Sequence, residues 1–86
     1  MQAHVIWDDE PGGNVEHVAE NGLTPDEFDD VLLDDSIPTA FSDSTGRPCK
    51  FGYTSTGRHI IVIWDVIDDD PLTIYPVTAY DVPEPS

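Results

Sequence analysis

Basic residues are what this sequence lacks most. Arg47, Lys50 and Arg58 are its only side-chain cations against eighteen acids, a formal net charge of −15 in 86 residues. Nucleic-acid affinity normally comes from neutralising phosphates, and a field of this sign repels them, so a generic DNA or RNA binder is disfavoured. Cysteine is scarce as well. Cys49 stands alone, which excludes an internal disulfide and a thiolate metal set. His4, His17 and His59 lack the close spacing of a metal motif, and Asp68-Asp69-Asp70 lacks the Gly and terminal Glu of an EF-hand loop. No metal and no cofactor is therefore expected. Long apolar runs are missing too: the longest, Ile60 to Trp64, falls far short of the roughly 20 residues of a membrane-spanning helix. The start, MQAHVIWDDE, has neither a basic segment nor an apolar stretch of signal-peptide length. The expected compartment is the cytoplasm, with no membrane partner.

What is present suffices for one small core. A chain this short removes only roughly 60% of its unfolded surface from water, so it makes a single domain, expected over residues 1–82 with a disordered tail at 83–86. Hydrophobic residues at 38% fall in periodic blocks, which separates the chain from a disordered acidic one. The acid surplus has two readings. One is a solubilising surface, of a kind that suits high salt; the other is a surface that docks a basic protein.

The period of the apolar residues changes along the chain. His4-Val5-Ile6-Trp7 is a short β-branched and aromatic run stopped by Asp8 to Gly13, which predicts a strand and a turn. Val15, Val18 and Ala19 then fall at helical spacing, with Asn14 as the expected cap and Asn21-Gly22 as the stop. Thr24-Pro25-Asp26-Glu27 combines an N-cap, a proline at the first helical position and a capping-box glutamate. A second helix starts there, with Phe28, Val31 and Leu32 as its apolar stripe and Leu23 and Phe28 as a hydrophobic staple. Its end, at Asp34 and Asp35, opposes the helix dipole and should fray. Residues 36–47 predict a loop anchored by Ile37 and Phe41.

Three strands follow, Cys49 to Thr54, Arg58 to Ile67 and Leu72 to Tyr80, joined by short turns that favour an antiparallel meander. Pro76 cannot donate to a ladder and belongs at an edge or a bulge. In the central strand Ile60, Val62, Trp64 and Val66 share one apolar face, expected beneath the helices. His59, Ile61, Ile63 and Asp65 share the other, expected to be open to a ligand. The order is β-α-α-β-β-β: an α+β fold with two helices packed on one face of a small antiparallel sheet.

Trp7-Asp8, the stretch from Asn14 to Asn21-Gly22, Leu23-Thr24-Pro25, Arg47-Pro48-Cys49-Lys50-Phe51-Gly52, Thr56-Gly57-Arg58 and Val77-Thr78-Ala79 occur here in an order and spacing that resemble the BrnT-type toxins. These are a branch of the RelE-like ribonuclease toxins of bacterial type II toxin–antitoxin pairs. The resemblance implies metal-independent cleavage of RNA, in which a base takes the ribose 2′-hydroxyl proton, an acid protonates the leaving oxygen and cations stabilise the charged phosphorus intermediate. It implies Arg47 and Arg58 as catalytic cations; His59, with Tyr75 and Tyr80 as alternatives, is the expected proton-transfer residue, and Arg47, Lys50 and Arg58 are the expected nucleic-acid contacts. Where the family has lysine-histidine-glycine at the end of the first helix, this chain has Glu20-Asn21-Gly22; where it has serine-alanine-arginine in the last strand, this chain has Thr78-Ala79-Tyr80. The family's basic terminal helices have no counterpart after Tyr80. One lost transition-state donor typically costs about 10²–10³ in rate.

The expected function is thus a divergent acidic member of the toxin family whose ribonuclease activity is weakened or lost, with an antitoxin or other basic protein as partner. RNA is a partner only if the chemistry is intact. The alternative is an acidic, non-catalytic interaction module that kept the fold. On the bland reading Arg58 and Arg47 simply pair with acids, and regular strand alternation puts Arg47 and Lys50 on opposite faces. Trp7 and Trp64 are core residues first, and Cys49 has nothing beside it to activate its thiol.

Overall fold

The computed structural model describes residues 1–85. In chain order its elements are β1 (His4–Val5), α1 (Asn14–Glu20), α2 (Pro25–Leu32), β2 (Ala40–Phe41), β3 (Pro48–Tyr53), β4 (His59–Asp69) and β5 (Leu72–Asp81). The fold is α+β, two helices against one five-stranded sheet of order β1-β5-β4-β3-β2. The sheet is mixed where a purely antiparallel one was expected: β2, β3, β4 and β5 form an antiparallel series, and β1 lies parallel to β5. The two helices carry the chain from β1 at one edge of the sheet to β2 at the other.

Asn14 is the first helical residue of α1 and not its cap; Gly13 occupies the cap position without a side-chain bond. The Asn14 amide is buried and spent on tertiary structure: Nδ2 donates to Ile6 O (2.9 Å) and Pro76 O (3.0 Å), while Oδ1 accepts from Asp8 N (2.7 Å). At the other end Asn21 Nδ2 donates to Ala79 O (3.0 Å), and Gly22 turns the chain at a φ of 74° that an L side chain resists. Two asparagines therefore rivet a helix too short to be stable alone. For α2 the capping box is complete: Glu27 N donates to Thr24 Oγ1 (3.2 Å) and Thr24 N donates to Glu27 Oε1 (3.2 Å).

Val18, Leu23, Phe28, Val31 and Leu32 pack on Ile60, Val62, Trp64, Ile74 and Ala79, so both helices lie on one face. Trp7 meets Phe28 edge-on at 5.2 Å. Burying each large apolar side chain contributes about 1.5–3 kcal/mol. Gly52 allows α2 to come close to β3: a Cβ there would lie 2.6 Å from Ile37 Cδ1 and 3.2 Å from Val31 Cγ1. Pro76 sits at a register shift, opposite Trp64, where the missing N–H costs no regular ladder bond.

Four further expectations need correction. The loop over 36–47 contains β2, which pairs Ala40 with Cys49 and Phe41 with Pro48. Phe41 is no anchor; it is 69% exposed, whereas Ile37 does pack on the core. Val66 is 49% exposed because the helices stop short of it: β4, at 11 residues, runs about 36 Å, while α1 and α2, at 7 and 8 residues, span roughly 10–12 Å each. On the opposite face Ile61 and Ile63 are not open but buried, with Cys49, in a second small cluster against Val77 and Val82.

Candidate functional site

Arg58 precedes β4 and turns its guanidinium toward the helices. Nε donates to Asp81 Oδ1 (3.0 Å), Nη2 to Asp81 Oδ2 and to Asn21 O (3.2 Å), and Nη1 to Gly22 O, with Glu27 Oε2 at 4.0 Å. One fork thus ties the end of β5 to the carbonyls that end α1. Those hydrogen bonds hold the Asp81 carboxyl below the ordinary carboxylate range.

Lys50, expected on a nucleic-acid surface, is 2% exposed beneath the helices. Its Nζ donates to Leu32 O and Asp34 O, both at 2.9 Å. A strand residue thereby satisfies carbonyls that the end of α2 leaves without intrahelical partners. Burial pushes the ammonium down and the Asp34 charge pushes it back up. Asp34 itself is held low, first by the Ser36 hydroxyl and then by the Ser36 N–H.

Arg47 lies on the face away from the helices, where its Nε donates to Asp65 Oδ1 at 2.8 Å. His59 is on that same face but at the far end of β4, about 20 Å along the strand from Asp65. Its Nδ1 lies 3.0 Å from Pro83 O and 3.4 Å from Val82 O, and because a carbonyl only accepts, Nδ1 carries the proton in these bonds. The ring tilts against Tyr53 at 4.7 Å. This bond fastens Pro83, the first residue of the expected loose tail; Ser86 lies outside the described residues. Arg47, Arg58 and His59 therefore do not converge, and Arg47, Lys50 and Arg58 occupy three separate places.

The structure gathers something else instead. Beyond the reach of the helices, on their side of the sheet, Trp64 and Ile74 floor an apolar groove of about 340 Å³. Phe41, Val66, Leu72 and Met1 form its walls, and Thr39 is the one polar residue lining it. Asp69 pairs with the groove-lining Leu72 at the hairpin end, while Asp68 pairs with Thr73, whose side chain alternates to the opposite face. Asp35 is paired with the ammonium of Met1, which lines the groove. Sequence reasoning placed both Phe41 and Val66 in the interior and so missed the groove. The available signal was length: the apolar stripe of β4 outruns any two-turn helix above it.

On the opposite face Phe51, Tyr53 and Tyr80 are exposed around the buried Ile61 and Ile63. Burial raises the Cys49 thiol, with Asp43 adding to the shift, so no reactive thiolate is held there. Among the described residues no three His, Cys, Asp or Glu side chains gather closely enough to hold a metal ion, and no helix is long and apolar enough to cross a membrane. No family model matches the chain, and neither a curated protein nor a solved structure is found to match it.

Proposed function

We propose that this chain is an acidic protein-docking domain with a RelE/BrnT-like arrangement, that it binds a basic protein of the antitoxin kind, and that it has given up phosphate chemistry. One observation carries the reading: each side-chain cation is engaged by groups of the same molecule. Arg58 holds Asp81 and the end of α1, Lys50 is buried in the end of α2, and Arg47 pairs with Asp65. A phosphoryl intermediate needs fixed, unspent positive charge, and releasing any of these three would break a structural contact. The acids face the other way. Asp68, Asp69 and Asp70 are exposed without a cation beside them, which suits a partner whose charge is opposite.

The kinship to the toxins is supported by the order of its motifs and by the place of two helices over one sheet face. Glu20 and Asn21, standing where the family has lysine and histidine, fit the loss of activity. Two measurements test the proposal. Incubation of the purified protein with single-stranded RNA in chelator, across a range of salt, should leave the RNA intact; cleavage abolished by Arg58→Ala or His59→Ala would restore the ribonuclease reading. Binding of a lysine-rich protein should weaken steadily as salt rises, since exposed charges are screened within about 10 Å at 0.1 M. A salt-insensitive affinity would reject electrostatic docking.

A further inference from the structure

We infer that the apolar groove over Trp64 and Ile74 is the seat of one amphipathic helix, basic on its outer face, supplied by the partner protein. The inference rests on reading the chain as an acidic docking domain and adds where the partner sits and in what form. Three observations converge on it. First, the groove continues the layer that α1 and α2 begin: an α-helix is what ordinarily covers a sheet face, and here the distal part of β4 and β5 is left without one. Second, the volume of about 340 Å³ lies at the small end of ligand pockets, roughly 300–1,000 Å³. It admits one or two large apolar side chains, as the anchors of a helix laid in a groove would require.

Third, charge selects the occupant: the molecule carries −15, and Asp69, paired with the groove-lining Leu72, stands at the hairpin end of the groove, so lysines flanking the apolar anchors would meet net negative charge. A second copy of this chain is a poor occupant, because each copy carries −15. An added strand would use a different place, the outer edge of β1 or β2, each of which offers only two residues.

A synthetic peptide of leucine and lysine at helical spacing, about 18 residues and five turns long, is the probe. It should bind the full chain at low salt and gain helical circular dichroism, while its leucine–glutamate counterpart should not bind. Val66→Asp should weaken binding by about tenfold or more, as loss of a central anchor contact does. Val66 is already half exposed, so this variant is expected to keep its Tm; Phe41→Ser, at a position more exposed still, gives a second reading of the same wall. Asp69→Asn should weaken binding more than Glu20→Gln, a change of equal charge away from the groove. Binding that is untouched by both wall variants, or weakened equally by the two charge variants, overturns the groove and leaves basic docking standing. NMR shifts along the edge strands β1 or β2 that leave Trp64, Val66 and Ile74 unmoved would replace the helix by an added strand. No binding of the lysine peptide at low salt overturns both readings together.

Discussion

The Lys50 ammonium, 2.9 Å from two main-chain oxygens and shut off from water, stands where a helix of this length would otherwise end in unsatisfied carbonyls. Lys50→Met keeps the apolar stem and removes both bonds, so urea denaturation should show a loss of about 1–3 kcal/mol; an unchanged midpoint would mean that water replaces the ammonium. Asp29 presents the opposite case. Its carboxyl is raised, first by burial and then by Asp26 and Asp30, against the pull of the Trp7 indole N–H. The native state therefore holds that proton more tightly than the unfolded chain. Its stabilising effect is fully present below the ordinary carboxylate value of about 3.9 and is lost as pH rises through the higher native value. Asp29→Asn should raise Tm at pH 7 and leave it unchanged at pH 3; an equal rise at both would assign the gain to packing. Neither environment was legible from sequence, since Lys50 and Asp29 read as ordinary charged residues until the depth of the helix layer is known. What alternation did give was the side of Lys50, which falls opposite Arg47, as three residues along a strand require.

At the scale of elements, Arg58 answers for the join between α1 and the sheet. Lysine in its place keeps the charge but cannot span Asp81 and two carbonyls at once. In Arg58→Lys the amides of Gly22 and Leu23, which donate to Ala19 O and Val18 O at 2.9 Å, should exchange with deuterium faster than in the parent. Because the Asp81 carboxyl is held low, the clasp contributes above the ordinary carboxylate range and is lost as pH falls through the lower native value. The difference between Arg58→Lys and the parent should accordingly shrink in acid; a difference that persists would point to lost packing. The helices themselves were readable, α2 especially, because Thr24, Pro25 and Glu27 each meet a backbone requirement that few other residues meet. β2 was not readable. Two residues in a Ser/Thr/Pro stretch show no alternation, and only the register of β3 makes them a strand. The parallel pairing of β1 was hidden for a related reason, since nothing local to His4 and Val5 says which distant strand they meet. Asn14 was legible as special but not in its role, because a buried tertiary clamp and an exposed cap use the same side chain.

For the molecule as a whole, charge outweighs every individual ion pair. Salt screens the Arg47–Asp65 and Arg58–Asp81 attractions, but it also screens repulsion among eighteen acids answered by three cations, and the second effect is the larger. Tm should therefore rise between 0.01 M and 0.5 M sodium chloride. A fall would mean that the few internal pairs govern stability. The surplus itself was plain from composition, yet the fact that each cation is engaged by groups of the same molecule appears only once Arg58, Lys50 and Arg47 are placed. Finally, the Asn14 clamp has a consequence for timing. Its amide needs Pro76 O, and β1 needs β5, so the opening segment of a nascent chain has no seat until the last strand has emerged from the ribosome. Early residues must wait unpaired while late ones are made. Such distant closure makes for slow acquisition of the native state, with the N-terminal segment the last part to gain protection in a refolding experiment.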